Sequence, residues 1–279
     1  MSARDPCADL RRILVAMDQG PSARATLETA ASLAAALHAE LVGLFVEDTE
    51  LLAAADLPVT HSIPRFARER ALLDAASMER AMRVSAHRAN VAVAAVAERL
   101  RLHWSFRVLR GGLAEELLRE VRAFDVLALD AAGSAMHRAM RELASGWSEA
   151  REANCALLLA GPAGDPRQPV TVLFEGTERA LALGRRLAEV YGRRLAVVAV
   201  GESEAATEEV GARAAAWLET HGVHATVSTL LGGTVADVCA ALRARFAGVL
   251  VIDRRGPLGA RLPLEALAGR AGGAVFALN

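Results

Sequence analysis

The sequence predicts an α/β fold: two tandem open parallel sheets of five strands each, with helices on both faces. Three observations predict it. Short apolar runs alternate with helical patterns along the chain, the order of elements in residues 170–279 repeats that of residues 1–162, and the apolar runs end in carboxylates or glycine turns. Alternating patterns imply parallel strands joined by crossover helices and buried on both faces. A repeated order of elements implies tandem duplication.

Residues 1–10 read as a loose leader, and Arg12-Ile-Leu-Val-Ala-Met-Asp18 as the first strand. Gln19-Gly-Pro-Ser22 is turn chemistry, with Ser22 placed to cap a helix running to about His38. Glu40–Val46 is the second strand, and residues 47–64, with two prolines, form an irregular connection. From about Arg65 to Arg101 the spacing predicts one long helix. Leu72, Ala75, Met78, Met82, Ala86, Ala89, Val93, Val96 and Leu100 recur every three or four residues. That stripe reads as a core face, with an oligomer seam as the alternative. The helix carries eight arginines against four acids and one aromatic residue, Phe66, where a nucleic-acid surface interleaves several, so its charges read as a solvated face.

Trp104–Leu109 is the third strand, Arg110-Gly111-Gly112 the turn into a helix over Leu113–Ala123, and Asp125–Leu129 the fourth strand. Asp130-Ala-Ala-Gly133, followed by Ser134, opens a helix ending near Asn154, and Ala156–Leu159 is the fifth strand. Gly161 to Pro169 holds three prolines and two glycines, which places a linker at 163–169 between domains 1–162 and 170–279. In the second half Val170–Glu175 matches Ile13–Asp18, and Arg194–Val200 matches Glu40–Val46. Thr226–Leu230 with Gly232-Gly233 matches Phe106–Leu109 with Gly111-Gly112, and Asp253-Arg-Arg-Gly256 matches Asp130-Ala-Ala-Gly133. Ligands of open α/β sheets lie beyond the carboxyl ends of the strands, so these two turns are where a site is sought.

Composition narrows the chemistry. The net charge of −1 gives no global pull toward nucleic acid or an anionic membrane. All 32 basic residues are arginine, so a Walker-type phosphate loop and a lysine Schiff base are excluded. Three separated cysteines (Cys7, Cys155, Cys239) without CxxC, no apolar run approaching a membrane span and no signal-peptide pattern point to a soluble cytoplasmic protein. His221-Gly-Val-His224 reads as two surface histidines, since a metal site needs three or four ligands. Ser134 and His137 lack a Gly-x-Ser-x-Gly elbow, which speaks against a hydrolase. Cys155 reads as a small buried hydrophobe, and Asp130 and Asp253 read as caps of the helices that follow them. No catalytic constellation stands out.

Ile13–Asp18 with Gly20-Pro-Ser22, the Gly111-Gly112 turn and the strand-turn-helix at 126–160 together resemble the universal stress protein family. The likeness covers nearly the whole chain as two tandem Rossmann-like domains. It implies five parallel strands per domain and, in many members, an ATP site. In that site an Asp after the first strand and the backbone after the second hold the nucleoside, and a Gly-x2-Gly-x9-Gly-(Ser/Thr) loop wraps the phosphates. Carried over, Asp18 fits the nucleoside carboxylate and Val46 the adenine contact. The loop departs from the pattern. Asp130 stands at the first glycine, Gly133 fits the second with Ser134 beside it, and Leu143-Ala144 replace the Gly-Ser pair. In the second half Glu175 replaces the first-strand Asp, Asp253 the first glycine and Ala266-Leu267 the last pair. Gly256 fits, and Arg254 and Arg255 offer anion-binding charge.

The resemblance thus implies a stress-response protein, non-enzymatic, acting through a protein partner or small ligand, with degenerate nucleotide sites and no cofactor. The alternative is a regulatory switch binding ATP or AMP weakly, with slow hydrolysis. Homodimeric family members pair their last strands across a two-fold axis. The expectation here is an internal pseudo-dimer whose final strands pair antiparallel with Leu158 and Phe276 buried between the halves; a homodimer of whole chains is left open. No nucleic-acid or membrane partner is expected.

Overall fold

The computed structural model describes residues 10–17, 22–49, 53, 61–62, 71–72, 75–122, 125–130, 156–160, 167–232, 234–245, 248–264, 267–268 and 273–278. The first half runs β1 (Arg12–Ala16), α1 (Ala23–Leu37), β2 (Glu40–Asp48), β3 (His61–Ser62), β4 (Ala71–Leu72), α2 (Ala75–Arg99), β5 (Trp104–Gly111), α3 (Leu113–Glu120), β6 (Asp125–Asp130) and β7 (Ala156–Ala160). The second runs β8 (Val170–Phe174), α4 (Glu178–Tyr191), β9 (Leu195–Gly201), α5 (Glu204–Thr220), β10 (Ala225–Leu231), α6 (Val235–Arg245), β11 (Val249–Asp253) and β12 (Ala274–Leu278).

Ten strands form one sheet in the order β10-β9-β8-β11-β12-β7-β6-β1-β2-β5. Each half contributes the same internal order, the third, second, first, fourth and fifth of its strands in this sheet, and every pairing of this sheet within a half is parallel. At the centre β12 meets β7 antiparallel, with Phe276 opposite Leu158 and Ala277 opposite Leu157. Both Leu158 and Phe276 are buried. This pairing removes the edge that each fifth strand presents on its own.

The apolar runs Leu127–Leu129, Leu157–Leu159 and Val249–Ile252 are buried on both faces, as parallel strands between two helical layers require. One face packs on α1, α2, α4 and α5, the other on α3, α6 and Leu262, Leu264, Leu267 and Ala268. The first core is continuous through both halves, and Arg186 of α4 donates to the Ala36 carbonyl of α1 at 3.4 Å across the seam.

The long helix is shorter than its periodicity suggests. Ala71 and Leu72 pair antiparallel with Ser62 and His61, so α2 starts at Ala75. A residue held in a β ladder is extended, and the three-residue step from Leu72 to Ala75 is a coincidence of spacing rather than a helical turn. From Met82 onward the stripe is as expected. Met82, Ala86, Ala89, Val93 and Val96 are buried, while Arg80, Arg83, Arg88 and Arg99 are exposed. Val93 packs on Gly43 of β2, where an added Cβ would lie 2.9 Å from its methyl. Trp217 is buried on α5 and stacks on His221, whose ring lies at the end of that helix.

Candidate functional site

In each half the strand order reverses between the first and fourth strands, where a crevice opens at their carboxyl ends. In the first half this point lies between β1 and β6, and in the second between β8 and β11.

At the first point Asp130 ends β6 and is buried. Ser22 occupies the N-cap position of α1, yet its side chain does not cap the helix. Its hydroxyl donates instead to the Asp130 carboxylate. A buried carboxylate needs donors more than a helix end open to solvent does, so the charge-assisted bond wins. Asp18, Gly133, Ser134, His137, Leu143 and Ala144 lie outside the described residues, as do Cys7 and Cys155. Val46 is half-buried on β2, opposite Leu109 of β5. Beside Met17, a cleft of about 530 Å³ opens between α1 and α2, lined by Leu27, Ala92 and Val96 with Arg24 and Arg88.

The second point is described more fully. Gly176 follows Glu175 with φ +105°, a left-handed conformation that glycine alone takes without strain. Arg213 of α5 holds the Gly176 carbonyl at 2.8 Å. Glu175 is thereby aimed across the crevice. Its Oε1 accepts from the Leu258 amide at 2.7 Å and its Oε2 from the Gly259 amide at 2.9 Å. These successive amides open a tight turn in which Ala260 donates to the Gly256 carbonyl and Leu262 to the Leu258 carbonyl. Consecutive N–H groups at the start of a turn form a concave anion receptor.

Two glycines build that receptor. A Cβ on Gly256 would lie 2.3 Å from Glu175 Oε2, and one on Gly259 would lie 2.0 Å from the Asp253 carbonyl. Asp253, buried at the end of β11, was expected to cap a helix; it accepts instead from the Arg255 amide at 2.9 Å and closes a turn, with no helix directly after it. Its other oxygen is 3.9 Å from Arg179 of α4. Arg254 lies half-buried with Nη2 3.4 Å from the Ala260 carbonyl, and Arg255 is exposed.

Burial pushes the Glu175 carboxyl above its ordinary range, against the two amides and with Asp253 adding to the rise. Burial lowers Arg179, with Asp253 opposing and Arg255 reinforcing the fall. Among the described residues there is no cluster of three or more His, Cys, Asp or Glu able to hold a metal ion. No described helix is long and apolar enough to cross a membrane.

Residues 9–159 match the family model described as "Universal stress protein family". The chain belongs to the universal stress protein family. Its fold is similar over the whole length to a universal stress protein from Archaeoglobus fulgidus DSM 4304, at 14% identity and TM-score 0.68, covering 97% of this chain and 96% of that one. A putative universal stress protein from Pseudomonas aeruginosa UCBPP-PA14 covers 98% of this chain and 94% of its own at 16% identity and TM-score 0.54. The cytoplasmic domain of a prokaryotic cation chloride cotransporter covers 96% and 95% at 12% identity and TM-score 0.58. At these identities the likeness shows the fold alone. No curated protein matches the chain.

The second half also carries a second frame for the universal stress protein loop. Gly256-Pro-Leu-Gly259 has the Gly-x2-Gly spacing three residues after the frame that starts at Asp253, and Gly269 follows after nine intervening residues, with Arg270 in place of Ser or Thr. The sequence signal was there in the repeated glycine. Glu175 gave less warning, because a Glu for Asp exchange looks conservative.

The Leu258 and Gly259 amides of the second turn are taken by Glu175.

Proposed function

We propose that this chain is a non-enzymatic stress-response protein of the universal stress protein family, working in the cytoplasm through a protein partner or small ligand, with nucleotide sites that are spent. One observation carries the reading: the carboxylates at both crevices are engaged by the protein itself, Asp130 by Ser22 and Glu175 by Leu258 and Gly259. A carboxylate in such a place repels phosphate and competes for its donors. For a small ligand, the cleft beside Met17 offers apolar walls with Arg24 and Arg88 at its mouth, which suits an apolar molecule carrying an acidic group.

Calorimetry of the whole protein with ATP and Mg²⁺ tests the reading. Binding weaker than about 10 μM is expected, and tighter binding overturns it. The rival reading, an adenine-nucleotide switch, draws support from the glycine spacing that starts at Gly256. That switch predicts a nucleotide co-purifying with the native protein, which mass spectrometry detects.

A further inference from the structure

We infer that the Glu175 carboxylate is the resident anion of the second-half turn, and that without it the turn becomes a receptor for a small oxyanion such as phosphate or sulfate. This deepens the reading of spent sites by giving the second half a chemical cause.

The geometry is that of an anion site with its ligand built in. Two successive amides converge on two oxygens of one carboxylate at 2.7 and 2.9 Å. That arrangement suits any oxyanion with two terminal oxygens on one centre. The glycine at 256 leaves room only because the carboxylate fills it: an added Cβ would lie 2.3 Å from Oε2 and 2.8 Å from Cδ. Gly259 is likewise fixed by the Asp253 carbonyl. Both glycines therefore serve the turn and its occupant, and neither has a positive φ to require it.

The occupant is held from behind as well. The left-handed Gly176 and the Arg213 bond to its carbonyl set the direction in which Glu175 leaves β8. Burial of the carboxylate works against its charge, so the two amides do not fully replace the water it loses. A group held at such a cost fits a receptor already formed by the turn. Removing the carboxylate raises the net charge at the mouth by one, with Arg179, Arg254 and Arg255 on one side of the balance and Asp253 on the other. Both changes favour an incoming oxyanion.

Thermal unfolding of the full-length protein tests this, in sodium phosphate against sodium chloride of equal ionic strength at neutral pH. Glu175→Ala is expected to melt about 2–8 °C below wild type, since it strands two amides. Millimolar phosphate should then restore about half of that loss or more, with saturation, while the wild type gains nothing over chloride. An equal gain in the wild type overturns the proposal, because the turn would then be open with Glu175 present. So does a Glu175→Ala protein that melts with wild type and ignores phosphate.

Should the Ala variant fail to fold, Glu175→Gln keeps the volume and one acceptor oxygen and is expected to show a smaller loss with the same phosphate response. Nuclear magnetic resonance of the wild type gives a reading without any variant. The Leu258 and Gly259 amide protons should lie downfield and exchange slowly; fast exchange of both overturns the proposal. Tight ATP binding by a wild type that stays blind to phosphate in the melt would sink the spent-site reading and leave the resident anion in place.

Discussion

The two halves share one topology and close its ends with different chemistry. At the amino end of the first half, Arg12 grips the buried Asp125 with Nε at 3.0 Å and Nη2 at 2.5 Å, and the Arg122 amide adds a bond of 2.7 Å. That pair and its hydrogen bond hold the Arg12 guanidinium above its ordinary pKa. The matching positions in the second half are Pro169 and Gly248, and a Cβ on Gly248 would lie 2.7 Å from the Pro169 carbonyl. Charge is replaced by close backbone contact. At the carboxyl end a hydroxyl meets a carboxylate in the first half, and a carboxylate meets two amides in the second. The lesson is that the fold demands that these positions be closed and leaves the means open.

The seam is where both halves fail together. Leu158→Asp places an unpaired charge between the two central strands and should cost more than about 4 kcal/mol, unfolding both halves in one transition. Two separate melting transitions in the intact variant, seen by calorimetry, would show that the halves stand independently. The next effect belongs to the first half alone. Arg12→Met leaves Asp125 buried without its cation and should cost about 3 kcal/mol in urea unfolding. A loss under about 1 kcal/mol, well below the usual cost of such a break, would mean that the Arg122 amide suffices.

Gly259→Ala acts only on the second half. It drives a methyl into the Asp253 carbonyl and should cost about 2 kcal/mol, with the loss confined to amides near the turn in hydrogen exchange. Ser22→Ala removes one donor from Asp130 and should cost about 1 kcal/mol. The smallest effect concerns pH. Because burial raises the folded Glu175 pKa above its ordinary 4.5, the native state keeps a proton that the unfolded chain releases. Its contribution is full below the unfolded value and is lost as pH rises through the folded one. Wild type should therefore lose stability relative to Glu175→Gln as pH rises above about 4.5. A flat difference would place Glu175 in solvent.

Much of the fold was legible because strand burial writes itself as apolar runs. Leu127–Leu129 and Val249–Ile252 admit no other reading once helical patterns flank them. The antiparallel seam was legible through the family resemblance, and it answers a physical need, the covering of two open edges. The start of α2 was not legible: the spacing of Leu72 and Ala75 fits helix and chance alike, and a partner at His61–Ser62 decides between them. At the candidate site the turn after Asp253 was legible and the bonds were not. Nothing local told Ser22 to prefer Asp130, 108 positions away, over the helix it begins. Nor does any local pattern show that Glu175 reaches amides 83 and 84 positions on. Long-range donors and acceptors find each other only after the sheet has brought the strand ends together.

The antiparallel contact of β7 with β12 also changes what dilution does to this protein. A dimer built from separate chains falls apart as its concentration drops, because its stability includes a term for finding the partner. Here the second partner arrives on the same chain, at an effective concentration set by the short linker rather than by expression level. Folding is therefore first order in protein, and its midpoint should not move with concentration. The two crevices are also tied permanently in unequal pairs, so each half can change its chemistry without meeting a copy of itself. A carboxylate that would be installed twice in a symmetric dimer stands at one crevice here, and the opposite crevice keeps its own residues.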